Sequence, residues 1–153
     1  MTTTTPRLIT GHVGLNVTDI DRSTAFYRQV FGWDVQGEGT DPDRRWAFLG
    51  DDGALLVTLW QQSSGRFDPA GPGLHHLSFQ VGDVEAVRAI ESRVRELGGT
   101  VHFDGVVVHG EGASSGAIFF DDPDGTRLEV FTPTGVDETA PAPSGEAPTC
   151  GFF

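Results

Sequence analysis

The chain has 153 residues, 37% of them hydrophobic, with 22 acidic and 10 basic side chains and a formal charge of −12. That length suits one compact core or two small modules sharing one, and the acidic balance argues against nucleic acid and anionic membranes, which are bound by neutralising phosphate. All ten basic residues are arginine, which excludes a lysine Schiff base and a Walker-type phosphate loop. No apolar run approaches the length of a membrane span, and the Thr-rich start lacks the layout of a signal peptide. The lone Cys150 cannot form an internal disulfide, so a cytoplasmic protein is expected.

In chain order, residues 1–8 read as a flexible N-terminus. Residues 9–62 form a first module: a strand from His12 to Val17, a helix with Phe26 and Val30 on one stripe between Asp19/Asp21 and Gly32, then strands near 33–36, 45–49 and 55–60. A Gly/Pro/Ser-rich linker covers 63–73. Residues 74–133 repeat the pattern, since His76-Leu77-Ser78-Phe79-Gln80-Val81-Gly82-Asp83-Val84 matches His12-Val13-Gly14-Leu15-Asn16-Val17-Thr18-Asp19-Ile20. The second helix has Asp83 as N-cap, a stripe of Val84, Val87, Ile90, Val94 and Leu97, and Gly98 as its stop, and strands follow near 101–108, 117–120 and 127–131. Residues 134–153, rich in Pro, Ala, Ser, Thr and Glu, read as a disordered tail with an apolar end, Cys150-Gly151-Phe152-Phe153. The predicted fold class is α+β, two tandem β-α-β-β-β modules forming a curved mixed sheet around a cleft. Neither module is large enough to bury both faces of its sheet alone, so the two are expected to pack together.

Strand parity selects the candidate ligands. Side chains alternate faces along a strand. If Val13, Leu15 and Val17 face a helix, then His12, Gly14 and Asn16 face away. If Leu77, Phe79 and Val81 face a helix, then His76, Ser78 and Gln80 face away. Leu128 and Val130 likewise leave Glu129 on the open side with Arg127 and Phe131. Two imidazoles and one carboxylate on the open side are a donor set for a divalent metal such as non-haem iron. An acid in mid-strand would be costly without a partner.

With these residues in view, the chain resembles the vicinal oxygen chelate superfamily, which includes glyoxalase I, bleomycin-resistance proteins, methylmalonyl-CoA epimerase, fosfomycin-resistance enzymes and extradiol dioxygenases. The marks run from Ile9 to Pro133: His12 with Val17-Thr18-Asp19-Ile20, Phe26-Tyr27 and Phe31-Gly32-Trp33, then Gly73-Leu74-His75-His76, then Phe120-Asp121-Asp122-Pro123-Asp124-Gly125 and Leu128-Glu129-Val130. The resemblance implies a metal held by His12, His76 and Glu129. Glyoxalase I and the epimerase also take a Glu or Gln ligand from the last strand of the first module. Aligning Asp52-Gly53 with Asp124-Gly125 places Val57 there, with Gln61 two strand steps on, so the site resembles the three-ligand dioxygenase arrangement.

The expected function is therefore a metal-dependent enzyme, a non-haem iron(II) oxygenase acting on a small substrate that chelates through two oxygens. Fe2+ is favoured among Mn2+, Zn2+, Ni2+ and Co2+. A glyoxalase-type lyase or isomerase and a non-catalytic antibiotic-binding protein are the alternatives. His109, near a Gly-rich bend, and Tyr27, on the first helix, are candidate acid–base groups. Asn16, Trp46, Phe48, Leu55, Val57, Leu59 and Phe131 are candidates for the substrate walls. His75 shares the parity of Leu77 and reads as packing or surface. The expected partners are a small-molecule substrate and a second copy of the chain in a homodimer, which leaves open whether modules pair within one chain or across two.

Overall fold

The computed structural model describes residues 5–137; the expected tail beyond that, with Cys150, Phe152 and Phe153, lies outside the described residues, as do residues 1–4. The elements are β1 (Val13–Asn16), α1 (Ile20–Phe31), β2 (Asp34–Gly39), β3 (Trp46–Asp51) and β4 (Ala54–Trp60), then β5 (Leu77–Gln80), α2 (Val84–Glu96), β6 (Val101–Val108), β7 (Gly116–Asp121) and β8 (Arg127–Thr132). The fold is α+β, two β-α-β-β-β modules. Each forms its own four-stranded mixed sheet, in the order β1-β4-β3-β2 and β5-β8-β7-β6. Among the described residues no helix is long and apolar enough to cross a membrane.

Both helices start and stop where their sequence says. Asp19 caps α1 by accepting from the Arg22 N–H at 3.0 Å, and Asp83 caps α2 by accepting from Ala86 at 2.8 Å. Gly32 ends α1 in the left-handed conformation. The inner stripes, Phe26, Tyr27 and Val30 on α1 and Val87, Ile90 and Val94 on α2, are buried in one core cluster that spans the two modules.

The halves join through their helix-covered sides. Phe31 stacks on Trp33 with centroids 4.5 Å apart, and Phe79 of β5 meets both rings edge-on at 5.2 and 5.1 Å. The turn between β7 and β8 adds a polar clamp. Asp124, buried, accepts from the Thr18 N–H at 2.9 Å, from the Thr18 hydroxyl and from Arg22 Nη2 at 2.7 Å. The hydroxyl of Tyr27, fully buried, donates to Asp122 at 2.9 Å. The helix-covered sides thus meet each other, and the sheets' other faces are left to form whatever site the protein has.

Two details depart from the sequence expectation. The first is a register shift between Leu49 and Gly50, where β4 takes one extra residue: Leu49 pairs with Val57 but Gly50 with Leu55. The second is that packing continues into the expected tail. The Val136 N–H bonds to the Ser114 carbonyl at 3.0 Å, and its side chain is buried against Gly116. A Cβ on Gly116 would lie 2.7 Å from the Val107 carbonyl and 3.0 Å from a Val136 methyl, so only glycine lets this segment lie so close.

Candidate metal site

Glu129 is the organising residue. Register pairs it with Ser78 on β5 and Phe119 on β7, so it sits in mid-sheet, with only 6% of its surface exposed. Such a carboxylate needs partners, and it has them. Its Oε2 lies 3.2 Å from His76 Nε2, its Oε1 lies 2.7 Å from His109 Nε2, and the Ser78 hydroxyl also donates to it. Burial pushes its pKa up. The His109 and Ser78 hydrogen bonds and the charges of His109 and His76 outweigh that, so the carboxyl titrates below its ordinary 4.5.

The imidazoles are oriented in turn. His109 follows the end of β6, and its N–H bonds to the Ser115 carbonyl at 3.1 Å across the β6–β7 connection. A carboxylate only accepts, so His109 Nε2 is the donor, and its Nδ1 is held 3.1 Å from Ser115 Oγ. Phe131 meets the His109 ring at 5.7 Å and packs with Val107, Ala117 and Phe119 on the same face. His76, just before β5, has its Nδ1 2.8 Å from that of His75, which leaves Nε2 for Glu129. His75 is therefore an exposed neighbour of the site rather than part of the core.

His76 and Glu129 fit a metal. Two neighbouring donors on bonds of about 2.1 Å at right angles stand about 3 Å apart, close to the 3.2 Å observed. His12 is elsewhere: it precedes β1 in the other sheet and is exposed. Among the described residues no group of three or more His, Cys, Asp or Glu gathers in one chain as a metal site.

Residues 9–130 match the family described as the Glyoxalase/Bleomycin resistance protein/Dioxygenase superfamily. The chain belongs to that superfamily. It is 33% identical over 140 residues to a trivalent organoarsenical cleaving enzyme of Bacillus sp. (strain MD1), covering 91% of this chain and 80% of the other. It is 30% identical to a lactoylglutathione lyase of Haemophilus influenzae, over 78% of this chain and 89% of that one. Among solved structures, a glyoxylase/bleomycin resistance protein/dioxygenase domain from Frankia sp. EAN1pec superposes with a TM-score of 0.70 at 24% identity, over 84% of this chain and 93% of that one. The genomically encoded fosfomycin resistance protein of Listeria monocytogenes, solved with Mn(II) and sulfate, gives 0.61 at 20%, over 86% and 97%. At those identities the likeness to the two structures is one of fold.

Within the superfamily fold, the remaining candidates divide by face. Trp46 and Phe48 share the open side of the first sheet with Trp60, ring centroids 4.5 to 6.3 Å apart. Asn16 is exposed there, its Oδ1 accepting the Gln62 N–H at 2.9 Å. Leu55 is half-buried opposite Gly50. Val57 and Leu59 are a correction: both are fully buried in the core beneath α1 and line no open face. Tyr27 is another, for its phenol is enclosed between the modules, and burial with the neighbouring Asp122 drives its pKa well above the ordinary value. Gln61 caps α1, its Oε1 accepting from Ile20 at 2.8 Å.

The register also corrects the alignment of the two modules. Ser78 pairs with Glu129, and Gly14, its counterpart in the repeat, pairs with Thr58. Thr58, not Val57, is the counterpart of Glu129. The two-residue turn Asp52-Gly53 plus the extra residue in β4 replaces the longer β7–β8 loop, which offsets the motifs by one. The signal was present in the alternation: Val57 and Leu59 are the apolar set of β4, as Leu128 and Val130 are of β8.

Proposed function

We propose that the chain is a metal-dependent enzyme whose centre is completed by a second copy, with His76 and Glu129 from one subunit and His12 from the other, and that it acts as an iron(II) oxygenase on a small substrate chelating through two oxygens. The observation that carries the three-donor reading is the register: the position matching Glu129 in the first module is Thr58, a neutral hydroxyl occupied by the Trp60 indole N–H at 3.0 Å. Three protein donors, two imidazoles and a carboxylate, leave coordination positions open. A bound divalent metal supplies Lewis acidity toward the substrate oxygens and, as iron, a seat for dioxygen. The second copy is favoured because His12 is exposed and stands behind Leu8 and Ile9, each 86% exposed, an apolar approach that a subunit contact would cover.

In this reading the chain's own groups position and shield. Ser115 holds His109, His109 holds Glu129 Oε1, and Glu129 is left with Oε2 for the metal beside His76. Trp46, Phe48 and Trp60 offer the substrate body an aromatic wall on the first sheet. Mn2+, Zn2+, Ni2+ and Co2+ suit the same donors.

A glyoxalase-type lyase is the second reading, favoured by His109, an imidazole hydrogen-bonded beside the donors where a proton must move, and by the lyase relative. Cleavage of an organoarsenical is less well served: trivalent arsenic is thiophilic and the chain has one cysteine. The deciding experiment is anaerobic purification, metal analysis, then oxygen uptake on catechols and diketones beside turnover of a methylglyoxal–thiol adduct. Metal-dependent oxygen uptake supports the oxygenase; adduct turnover with no oxygen consumed replaces it with the lyase.

A further inference from the structure

A second cavity lies apart from the candidate metal site, on the helix-covered side where the modules meet. It encloses about 440 Å3 and is lined by Arg22 and Phe26 of α1, Arg66 of the linker, Leu97 at the end of α2, and Thr100 and Pro123 beside it. None of the metal-site residues lines it. That volume is in the range of small-molecule sites.

The lining carries two arginines, Arg22 and Arg66, and two acids, Asp121 and Asp122, and the acids have partners of their own. Asp121 is paired with His102 at 2.9 Å, and Asp124, next to the lining residue Pro123, with Arg22 at 2.7 Å. Asp122 accepts from the Tyr27 hydroxyl and from the backbone N–H groups of Asp124 and Thr126, each at 2.9 Å. Arg66 has no such answer: among the described residues its guanidinium makes no ion pair. It lies against Gly125, where a Cβ would stand 2.9 Å from Nη2, so the absent side chain is what seats the guanidinium at the cavity. Phe26, Leu97 and Pro123 supply apolar wall next to it, and Leu97 is 42% exposed.

We propose that this seam cavity binds a small organic anion, a carboxylate or phosphate on an apolar body, with Arg66 holding the anion and Phe26, Leu97 and Pro123 the body. Arg66 presents paired N–H donors that match either oxyanion. The cavity draws on α1, the linker and the second module together, so a ligand in it stabilises the joined state of the modules and does so away from the metal.

The test is calorimetry and thermal denaturation of the full chain with phenyl phosphate and with phenylacetate, against benzyl alcohol as the uncharged control. Saturable binding of at least one anion, with a rise in Tm and affinity at least about tenfold weaker in Arg66→Gln, is the expected result; which probe binds distinguishes phosphate from carboxylate. Arg66 is exposed and makes no ion pair among the described residues, so its variant keeps the fold, and Leu97→Glu is a second variant that places a repelling charge at the wall. No saturable binding of either anion overturns the proposal. So does binding unchanged in both variants, or binding lost in His76→Ala, which would place the anion at the metal site instead.

Discussion

Glu129 shows how a buried charge in mid-sheet is kept: three donors surround it, and two of them, His76 and His109, are held by neighbours of their own. Its folded pKa is below its unfolded one, so the stability it contributes is present above the ordinary carboxylate range and is lost as pH falls through the lowered folded value. His109→Ala removes the strongest lowering partner. The acid-unfolding midpoint, followed by circular dichroism, is expected to move to higher pH, and metal affinity to fall about 10–100-fold, as for other groups that orient a ligand. An unchanged midpoint and affinity would show that the His109 contact is incidental. The register correction has a sharper test in two adjacent residues. Val57→Glu puts a carboxylate into the core beneath α1 and is expected to cost at least about 3 kcal/mol in chemical denaturation. Thr58→Glu turns the same group to the other face of the sheet, beside the Trp60 indole N–H; it is expected to cost less stability than Val57→Glu and, on the oxygenase reading, to hold metal more tightly with turnover reduced. Equal stability of the two variants would contradict the register.

At the scale of elements, the helices, the succession of strands along the chain and the faces of β1, β5 and β8 were legible, because caps and apolar periodicity are local signals. Asp19, Asp83 and Gly32 stand where the helices begin and end, and His12, Ser78 and Glu129 lie opposite the apolar set of their strands. What local signals did not carry was registration between strands. The Asp-Gly motif occurs in both modules, but it closes a two-residue turn in one and part of a longer loop in the other, and the extra residue in β4 then moves Val57 inward. Contact between distant segments was hidden for a like reason: nothing near His109 in sequence announces Glu129. The packed Val136 is a third instance, a single apolar residue in a stretch of turn formers that finds the gap over Gly116. Val136→Ala is expected to lose roughly 1 kcal/mol, about 2–4 °C in Tm for a chain of this size. A Tm unchanged within error would mean that the segment contributes nothing beyond Pro133.

For the molecule as a whole, the placement of His12 at one sheet and of His76 and Glu129 at the other leads to a complementation test. If His12 serves the centre of a second copy, His12→Ala and Glu129→Gln subunits mixed by co-expression should form hybrids with one intact centre and one doubly defective one. Random pairing then restores about a quarter of the wild-type metal content and activity, where each variant alone has little. No recovery, with hybrids demonstrated by mass spectrometry, would mean that each chain builds its own centre. The clamp at the β7–β8 turn bears on a different matter, how such a protein can be recombined. Its side chains reach from one repeat to the other: Asp124 to Thr18 and Arg22, Asp122 to Tyr27. A chimera that takes its first repeat from a relative and keeps this second one inherits two buried aspartates chosen for the original helix. Fusions made at the linker will succeed or fail according to whether the incoming helix brings a hydroxyl, a guanidinium and a phenol to those three places, whatever its similarity elsewhere.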